Sequence, residues 1–366
     1  MPMWNGRSPP CARPWQRVNQ LFSFASMPTA SSAIRPRFLV LGCGSIGKRH
    51  LGNLIACQAG DVKAFDVRED RRAEVQDRFG IPVFGRLEEA WLAGADVALI
   101  TVPTRLHVPL ALEAAQHGCH LLVEKPLSDS WEEVERLLAV VKERNLVTLV
   151  GCNLRFHPGL RRIKSLLQEG TIGRVVAARV EVGQYLPDWH PQEDYRRGYS
   201  ARRDLGGGVI LDAIHEVDYV RWLMGDVATV SCFSGKLSRL EIETEDTAAI
   251  LLRFTDGAIG EVHLDYVQRA YSRTCHLIGD EGTIRWDYTT GQVSHYSGLT
   301  RKGQTFANDA GWEPNQMYMD ELRHFLRCLA REEEPTLDLF EGARVLQVAL
   351  AAKESAATGR VISLNR

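Results

Sequence analysis

Short apolar runs alternate with helix-like segments over the first part of the chain. The predicted strands cover residues 38–41, 62–66, 81–84, 96–101, 120–124 and 147–150, and the predicted helices cover 48–57, 87–93, 107–117 and 131–144. Unbroken apolar strands separated by helices are typical of a parallel sheet that is covered on both faces. The pattern therefore predicts a doubly wound α/β domain, which we place at residues 37–154.

Beyond about residue 155 the pattern changes to alternating apolar and polar positions. Positions 178, 180 and 182 are apolar and the positions between them are charged, which is typical of a strand buried on one face. Turn residues between apolar runs predict two hairpins, at residues 248–266 and 275–286. Helices at 208–224, 316–331 and 339–356 are expected to cover one face of this antiparallel sheet, leaving the other for a partner subunit. Residues 155–366 thus form a second predicted domain.

Composition and charge narrow the class of protein. The 366 residues are 45% hydrophobic and 25% charged, and 44 basic against 46 acidic side chains leave a net charge of −2. Such a balance is ordinary for a globular protein of two domains and argues against a nucleic-acid binder. No apolar run approaches the roughly 20 residues that span a bilayer, so we expect no membrane segment.

The eight cysteines are dispersed, and none of them forms a Cys-x-x-Cys pair. This spacing favours small buried side chains in a reducing compartment over a disulfide framework, and we expect a cytoplasmic protein. We expect no metal site, because no second cluster of ligands accompanies the few neighbouring histidines.

Residues 1–36 differ from the rest of the chain. They contain no acidic residue, four arginines and many serines and prolines. This composition fits a disordered extension, a start codon assigned too early with Met27 as the true beginning, or an organelle targeting segment. None of these alternatives contributes chemistry.

A glycine-rich turn follows the first predicted strand and opens the first predicted helix. Its sequence matches the pattern G-x-G-x-x-G, with the residues Gly42, Cys43, Gly44, Ser45, Ile46 and Gly47. The first glycine permits the tight turn, the second lets a pyrophosphate approach the backbone, and the third allows the helix to pack closely on the strand. The turn predicts a dinucleotide held at the helix N-terminus.

The second predicted strand ends at Asp66, 19 positions beyond Gly47. A carboxylate at this spacing is placed to accept hydrogen bonds from the adenosine ribose. It would also repel a 2′-phosphate, which favours NAD over NADP. Arg68, Arg71 and Arg72 lie nearby and leave NADP open, because an arginine can pair with that phosphate.

Candidate chemistry lies where the parallel strands end, since ligands bind such sheets at the carboxyl ends of the strands. Thr101 and Pro103 follow one strand, and Glu124, Lys125 and a proline follow the next. We expect both segments to contact the nicotinamide half of the cofactor. Burial beside a dinucleotide is expected to lower the pKa of Lys125, which then assists proton transfer.

A second candidate segment combines three glycines with a carboxylate and an imidazole. Residues 206–208 are all glycine and open a predicted helix, on which Asp212, His215 and Asp218 share one face. An imidazole beside a carboxylate is a plausible general base, because the carboxylate orients the ring and stabilises its protonated form.

These motifs, together with the segment from Asn153 to Phe156, occur in the order found in the glucose–fructose oxidoreductase / inositol dehydrogenase / MocA family, which residues 37–366 resemble. The resemblance implies a Rossmann domain followed by an α/β domain with an open, mostly antiparallel sheet used for oligomerisation, as a homodimer or homotetramer. It also implies NAD- or NADP-linked oxidation or reduction of a sugar, cyclitol or related carbonyl. The predicted cofactor site comprises Gly42, Gly44, Ser45, Ile46, Gly47, Asp66, Thr101, Pro103, His107, Glu124, Lys125, Asn153 and Arg155.

By the same resemblance, Lys125, His215 and Asp212 are the catalytic residues. The chain departs from the family here, because Asp212 and His215 are separated by two residues instead of three. This puts Asp212 in more doubt than His215. A polar and aromatic loop resembles a subgroup that acts on surface-polysaccharide or acylated amino sugars. The predicted substrate contacts are Lys125, Arg155, Trp189, His190, Tyr195, Asp212 and His215.

The main hypothesis is therefore an NAD-dependent oxidoreductase of a carbohydrate-like small molecule. In a rival enzyme class, tightly held NAD oxidises the substrate only transiently, and the net reaction is that of a lyase, epimerase or glycosidase. The third hypothesis is a non-catalytic protein that senses dinucleotides, since a fold does not determine function.

Overall fold

The computed structural model describes residues 35–189 and 191–364, which all lie in the same unit of the chain. Predictions about residues 1–34 and about His190 lie outside the described residues. Within the described ranges no helix is both long enough and apolar enough to cross a membrane. The boundary between the two predicted domains stays a prediction.

The first sheet contains six parallel strands in the order β3-β2-β1-β4-β5-β6. Its bounds are β1 (Arg37–Leu41), β2 (Asp61–Phe65), β3 (Val83–Phe84), β4 (Val97–Ile100), β5 (His120–Glu124) and β6 (Thr148–Gly151). All four residues of β4 are buried, as expected for a strand with helices on both faces. The order reverses beside β1, so that a crevice opens at the carboxyl ends of β1 and β4.

Five helices connect these strands: α1 (Ser45–Ala56), α2 (Glu69–Phe79), α3 (Leu87–Leu92), α4 (His107–Gln116) and α5 (Val134–Glu143). Helix α2 was not predicted, because its eleven residues leave only Val75 buried and show little apolar periodicity. Acidic residues in its first turn and Gly80 in the left-handed conformation at its end provide the signals that were overlooked.

The second sheet has nine strands in the order β14-β13-β12-β11-β7-β10-β9-β8-β15, and only β7 and β10 pair in parallel. The predicted open, mostly antiparallel sheet is confirmed. Its bounds are β7 (Val175–Gly183), β8 (Val227–Gly235), β9 (Thr247–Phe254), β10 (Ile259–Asp265), β11 (Ser272–Gly279), β12 (Gly282–Asp287), β13 (Gln292–Ser297), β14 (Lys302–Ala307) and β15 (Ile362–Ser363).

The helices of this part of the chain are α6 (Pro158–Gln168), α7 (Val209–Asp212), α8 (His215–Met224), α9 (Asn315–Leu329) and α10 (Leu339–Thr358). The prediction that residues 316–331 cover the antiparallel sheet was wrong. Leu322, Phe325 and Cys328 of α9 pack instead into the apolar cluster formed by Phe38 and Leu99 of the parallel sheet. An apolar stripe shows that a helix is buried but not which sheet it meets.

The prediction of a single helix at 208–224 was also wrong. This segment forms two helices, α7 and α8, which are separated by Ala213 and Ile214. Asp212 therefore ends one helix and His215 begins the next, so that His215 shares a face of α8 with Asp218 and Asp212 does not. The break lets Asp212 and His215 approach the same cavity from different directions.

Candidate active site

The glycine turn between β1 and α1 is tightly packed on one side and open on the other. A Cβ at Gly47 would lie 1.9 Å from the Gly42 carbonyl oxygen, and one at Gly42 would lie 2.7 Å from the Thr101 carbonyl oxygen. A Cβ at Gly44 would meet only Arg71 Nη1, at 3.9 Å. Gly42 and Gly47 thus close the turn, and Gly44 leaves room above it.

The turn has the donors that a pyrophosphate requires. Helix α1 has no side-chain cap, and its first intrahelical bond at the turn runs from the Lys48 N–H to the Gly44 carbonyl. The N–H groups of Ser45, Ile46 and Gly47 precede that bond and are available to an anion at the positive end of the helix. The residues present therefore fit a dinucleotide phosphate at this position.

Asp66 is fixed beside the turn by backbone donors. Its carboxylate accepts hydrogen bonds from the Cys43 N–H at 2.7 Å and the Arg68 N–H at 2.8 Å. The three neighbouring arginines all have partners: Arg68 pairs with Asp70, Arg71 lies 3.7 Å from Asp66 and Arg72 donates to the Asp66 and Val67 carbonyls. The arginines thus interact with the protein's own groups, and the carboxylate lies beside the glycine turn.

The loops at the carboxyl ends of β4 and β5 are tied together by side chains. The Thr101 hydroxyl donates to the Leu41 and Gly42 carbonyls at 3.0 and 2.7 Å. The His107 ring lies between the Val102 and Pro126 carbonyls, 2.8 and 2.7 Å away. Thr101 therefore supports the glycine turn, and His107 fixes the loop that follows Lys125.

The Asp212 carboxylate interacts with four polar side chains that come from three segments of the chain. Lys125 Nζ lies 3.2 Å from its Oδ1 and donates to its backbone carbonyl at 2.8 Å. Tyr199 donates to Oδ1, while Ser200 and Tyr266 donate to Oδ2 at 2.7 and 3.0 Å. This fully bonded carboxylate fixes the ammonium of Lys125 at the wall of the cavity.

The expected downward shift of the Lys125 pKa was wrong for this arrangement. Burial by itself lowers this pKa, but Tyr199, Asp212 and Glu124 raise it and outweigh the burial. The pKa of the Asp212 carboxyl, which burial alone would raise, is lowered by Lys125 and by the hydroxyl donors. Lys125 and Asp212 therefore form a charged pair.

His215 faces the same cavity without a carboxylate partner, contrary to the predicted Asp–His pair. Its Nδ1 is buried and has no hydrogen-bond partner among the described residues, and its ring lines the cavity with Lys125 and Asp212. Burial, together with the charges of Lys125 and Arg273, places the pKa of His215 well below its ordinary value. The ring is therefore a neutral imidazole, and because its Nδ1 is buried, Nε2 is the nitrogen that a ligand in the cavity can reach.

The cavity has a volume of about 240 Å³ and lies between the two sheets. Besides Lys125, Asp212 and His215, its polar lining includes Asp265, Tyr271, Arg273 and Tyr318, and Trp189 lines it as well. Such a mixture of hydroxyls, charged groups and an aromatic ring suits a small polar ligand.

Comparison with known families identifies the family to which the chain belongs. A model of the oxidoreductase family with an NAD-binding Rossmann fold matches residues 36–152, and a model of the GFO/IDH/MocA C-terminal domain matches residues 160–285. Together the matches cover more than half of the chain. The protein belongs to the GFO/IDH/MocA family. It is an oxidoreductase with an NAD-binding Rossmann domain, and the predicted family, fold class and cofactor class are confirmed.

Relatives within the GFO/IDH/MocA family extend over nearly the whole chain. Myo-inositol 2-dehydrogenase of Thermotoga maritima is 29% identical over 342 residues, which are 90% of this chain and 98% of that protein. The scyllo-inositol 2-dehydrogenase (NAD(+)) of Bacillus subtilis is 28% identical over 354 residues, which are 90% of this chain and 96% of that enzyme. Levoglucosan dehydrogenase in complex with NADH has a TM-score of 0.82 at 22% identity, covering 90% and 99% of the two chains, and shows the shared fold.

Several predicted contact residues do not reach the cavity of this family member. Arg155 is buried in an ion pair with Asp218 at 2.7 Å and also donates to the Thr336 carbonyl. Asn153 is buried in the same short turn, and the Tyr195 hydroxyl accepts a hydrogen bond from the Glu241 N–H instead of lining the cavity. The structure thus gives Arg155 a packing role between distant segments.

Two further predicted cofactor residues lie at or just beyond the carboxyl ends of β4 and β5. Pro103 is exposed at the end of β4, and Glu124 is buried with one carboxylate oxygen 2.7 Å from His50 Nε2. The pair formed by Glu124 and His50 connects β5 to α1 directly behind Lys125, so Glu124 positions the loop that carries the lysine.

Sequence reasoning missed most of the groups around Asp212 and the far wall. Tyr199 and Ser200 lie in one short 3₁₀ turn, where no periodicity marks them, and Arg273 lies on β11 as one charged residue among many. Tyr266 directly follows β10, and an aromatic residue at a strand end is the single signal that was present.

Proposed function

We propose that this oxidoreductase transfers a hydride between NAD and a carbinol carbon of a sugar, cyclitol or related polyhydroxylated ring. The observation that carries the proposal is the convergence of Lys125, Asp212 and His215 on one cavity beside the crevice of the Rossmann sheet. A charged donor and a neutral imidazole within one small site are the groups that alcohol oxidation requires.

Bound NAD supplies the hydride acceptor at the nicotinamide ring. Residues Gly42–Gly47 hold the pyrophosphate through backbone N–H groups, and Asp66 accepts from the ribose hydroxyls. Because the nearby arginines already have partners and Asp66 would repel a 2′-phosphate, we assign NAD rather than NADP as the preferred cofactor.

Lys125 and His215 divide the work on the substrate hydroxyl. Lys125 stays cationic, since Asp212 holds it charged, and donates a hydrogen bond to the reacting oxygen. His215 accepts the hydroxyl proton at Nε2, the ring nitrogen that is not buried, as the carbinol carbon is oxidised. In the reverse direction the protonated ring returns the proton to the carbonyl oxygen.

The outer face of the antiparallel sheet is the proposed subunit interface. Phe233, Leu251 and Ile259 project from it with 80, 53 and 48% of their surface exposed. Apolar side chains in such a cluster favour a symmetric contact between two copies, giving a homodimer or homotetramer. Light scattering of the wild type and of Leu251→Lys tests this, and a wild-type monomer would contradict it.

A cytoplasmic location is part of the same proposal. The cysteines of the described residues are all free, and six of these seven are buried. Buried thiols without disulfides are usual in a reducing compartment. Localisation of a fluorescent fusion of the full chain tests this expectation.

The test of the proposed reaction is NAD reduction with a panel of cyclitols, hexoses, pentoses, uronates and amino-sugar derivatives. A dehydrogenase accumulates NADH in proportion to the oxidised product, and NADP should support a lower kcat/KM. Product without NADH would instead indicate a lyase, epimerase or glycosidase that recycles bound NAD. Binding of NAD with no conversion of any substrate would indicate the sensor.

A further inference from the structure

Each positive charge at the wall of the cavity is paired with a buried negative charge. Two permanently cationic side chains line it among the described residues, Lys125 and Arg273. Lys125 is paired with Asp212 at the end of α7, and Arg273 is paired with Glu216 in the first turn of α8. Each cation thus has its own buried carboxylate from the same broken helical segment.

Arg273 and Glu216 differ in their access to the cavity. Arg273 Nε lies 2.8 Å from Glu216 Oε1, and Nη2 donates to Oε2 at 3.5 Å. The Glu216 side chain is fully buried, whereas 15% of the Arg273 side chain remains accessible. Within the described part of the chain Arg273 Nη1 has no acceptor. The guanidinium therefore faces the ligand, and the carboxylate stands behind it.

The other ionisable groups at this wall add no positive charge. His215 is neutral, because burial and the two neighbouring cations lower its pKa well below the ordinary value. Asp265 is negative and is held by the N–H groups of Val267 and Gln268. A carboxylate that entered the cavity would lose its hydration without meeting an unpaired cation.

We propose that Glu216 determines substrate specificity, by neutralising Arg273 so that the cavity selects an uncharged polyhydroxylated ring over a ring bearing a carboxylate. Arg273 then uses Nη1 as a donor to a hydroxyl oxygen of the neutral ring. Glu216 does not touch the substrate and acts through Arg273. The inference rests on the proposed function and specifies the substrate class of the same site.

The first measurement uses wild-type protein and matched pairs of probes. D-glucose and D-glucuronate share one ring and differ in the charge at C6, as do D-galactose and D-galacturonate. We expect the neutral member of each pair to have the higher kcat/KM, or the tighter binding to NADH-loaded protein, by about tenfold. A preference for the uronates would overturn the inference while leaving the dehydrogenase assignment intact.

The second measurement removes the neutralising charge. Glu216→Gln keeps the shape of the side chain and leaves Arg273 as a free cation, so D-glucuronate should bind about tenfold more tightly, as a competitive inhibitor or by ligand-observed NMR. The control Glu216→Gln/Arg273→Met removes both charges and should lose this gain.

These outcomes separate the inference from the proposed function. Equal glucuronate binding by the wild type and Glu216→Gln would overturn the role of Glu216, whether or not any sugar reduces NAD. Tighter glucuronate binding by the variant, without NAD reduction by any sugar, would support the charge balance and contradict the dehydrogenase. If Glu216→Gln does not fold, the wild-type comparison alone decides.

Discussion

The cofactor turn and the cluster around Asp212 are polar sites built in opposite ways. The turn consists of backbone groups within residues 42–47, and its geometry depends on the absence of side chains at Gly42 and Gly47. The Asp212 cluster consists of side chains from the loop after β5, one 3₁₀ turn, α7 and the end of β10. The turn is formed by consecutive residues of one segment, whereas the Asp212 cluster depends on the packing of both sheets.

This difference has consequences for function. A site made of backbone tolerates few changes in shape, because an added Cβ at Gly42 or Gly47 would displace the chain. A site made of converging side chains can lose one group and keep its fold, so its members should separate chemistry from cofactor binding. The substitutions below test that separation.

The largest expected effect is on turnover when Lys125 is replaced by Met. This change removes the donor to the reacting oxygen and should lower kcat by roughly 10²–10⁴. NAD should still bind, because the glycine turn is unchanged, and fluorescence titration with NADH measures this. Lys142→Met, at an exposed position on α5, is the matched control with full activity. Wild-type turnover of Lys125→Met would remove this residue from the mechanism.

Substitutions at the glycines of the turn should impair NAD binding, which the Lys125→Met substitution should leave unchanged. Gly47→Ala places a Cβ 1.9 Å from the Gly42 carbonyl oxygen, and the forced displacement should cost about 3 kcal/mol of unfolding free energy and abolish NAD binding. Gly44→Ala has space for its Cβ and should fold normally, with a raised KM for NAD because the methyl group meets the phosphates. Thermal unfolding with and without NAD distinguishes the two, and equal stability of both variants would contradict the packing described for Gly47.

A smaller effect is expected when one hydroxyl is removed from the Asp212 cluster. Tyr266→Phe deletes a single bond to Oδ2, which Ser200 still satisfies, so the loss should be about 1 kcal/mol, or roughly fivefold in kcat/KM. The affinity for NAD should not change. Tyr219→Phe, whose hydroxyl makes only a 3.5 Å contact to the Thr274 carbonyl, is the control. A loss as large as that of Lys125→Met would make Tyr266 part of the proton transfer itself.

The smallest effect is a displacement of the pH profile. His215 must be neutral to accept the proton, and burial together with Lys125 and Arg273 lowers its pKa. Oxidation should therefore lose kcat/KM only well below pH 6.5, the ordinary value for histidine. Lys125→Met removes one of the cations that lower this pKa, so the acid limb of its residual activity should move upward. An acid limb at or above pH 6.5 in the wild type would argue against His215 as the base.

The elements with strong patterns were predictable. The apolar runs of β1, β4 and β5 and the glycine turn fixed the parallel sheet and its cofactor end, because each pattern is local. Lys125, Asp212 and His215 were also found, and the structure places all three at one cavity. The Asp–His pairing was wrong, since residue spacing cannot show the break at Ala213 and Ile214.

By itself the sequence determined which segments are strands and helices, where a dinucleotide phosphate fits, and which acid and base types are present. Periodicity and turn chemistry act over a few neighbouring residues, so a single chain segment carries them. The tertiary structure alone decided that α9 covers the parallel sheet, that Tyr199 and Tyr266 serve Asp212, and that Glu216 neutralises Arg273. These contacts join residues far apart in the chain, and their energies depend on burial and distance, which exist only once the sheets have packed.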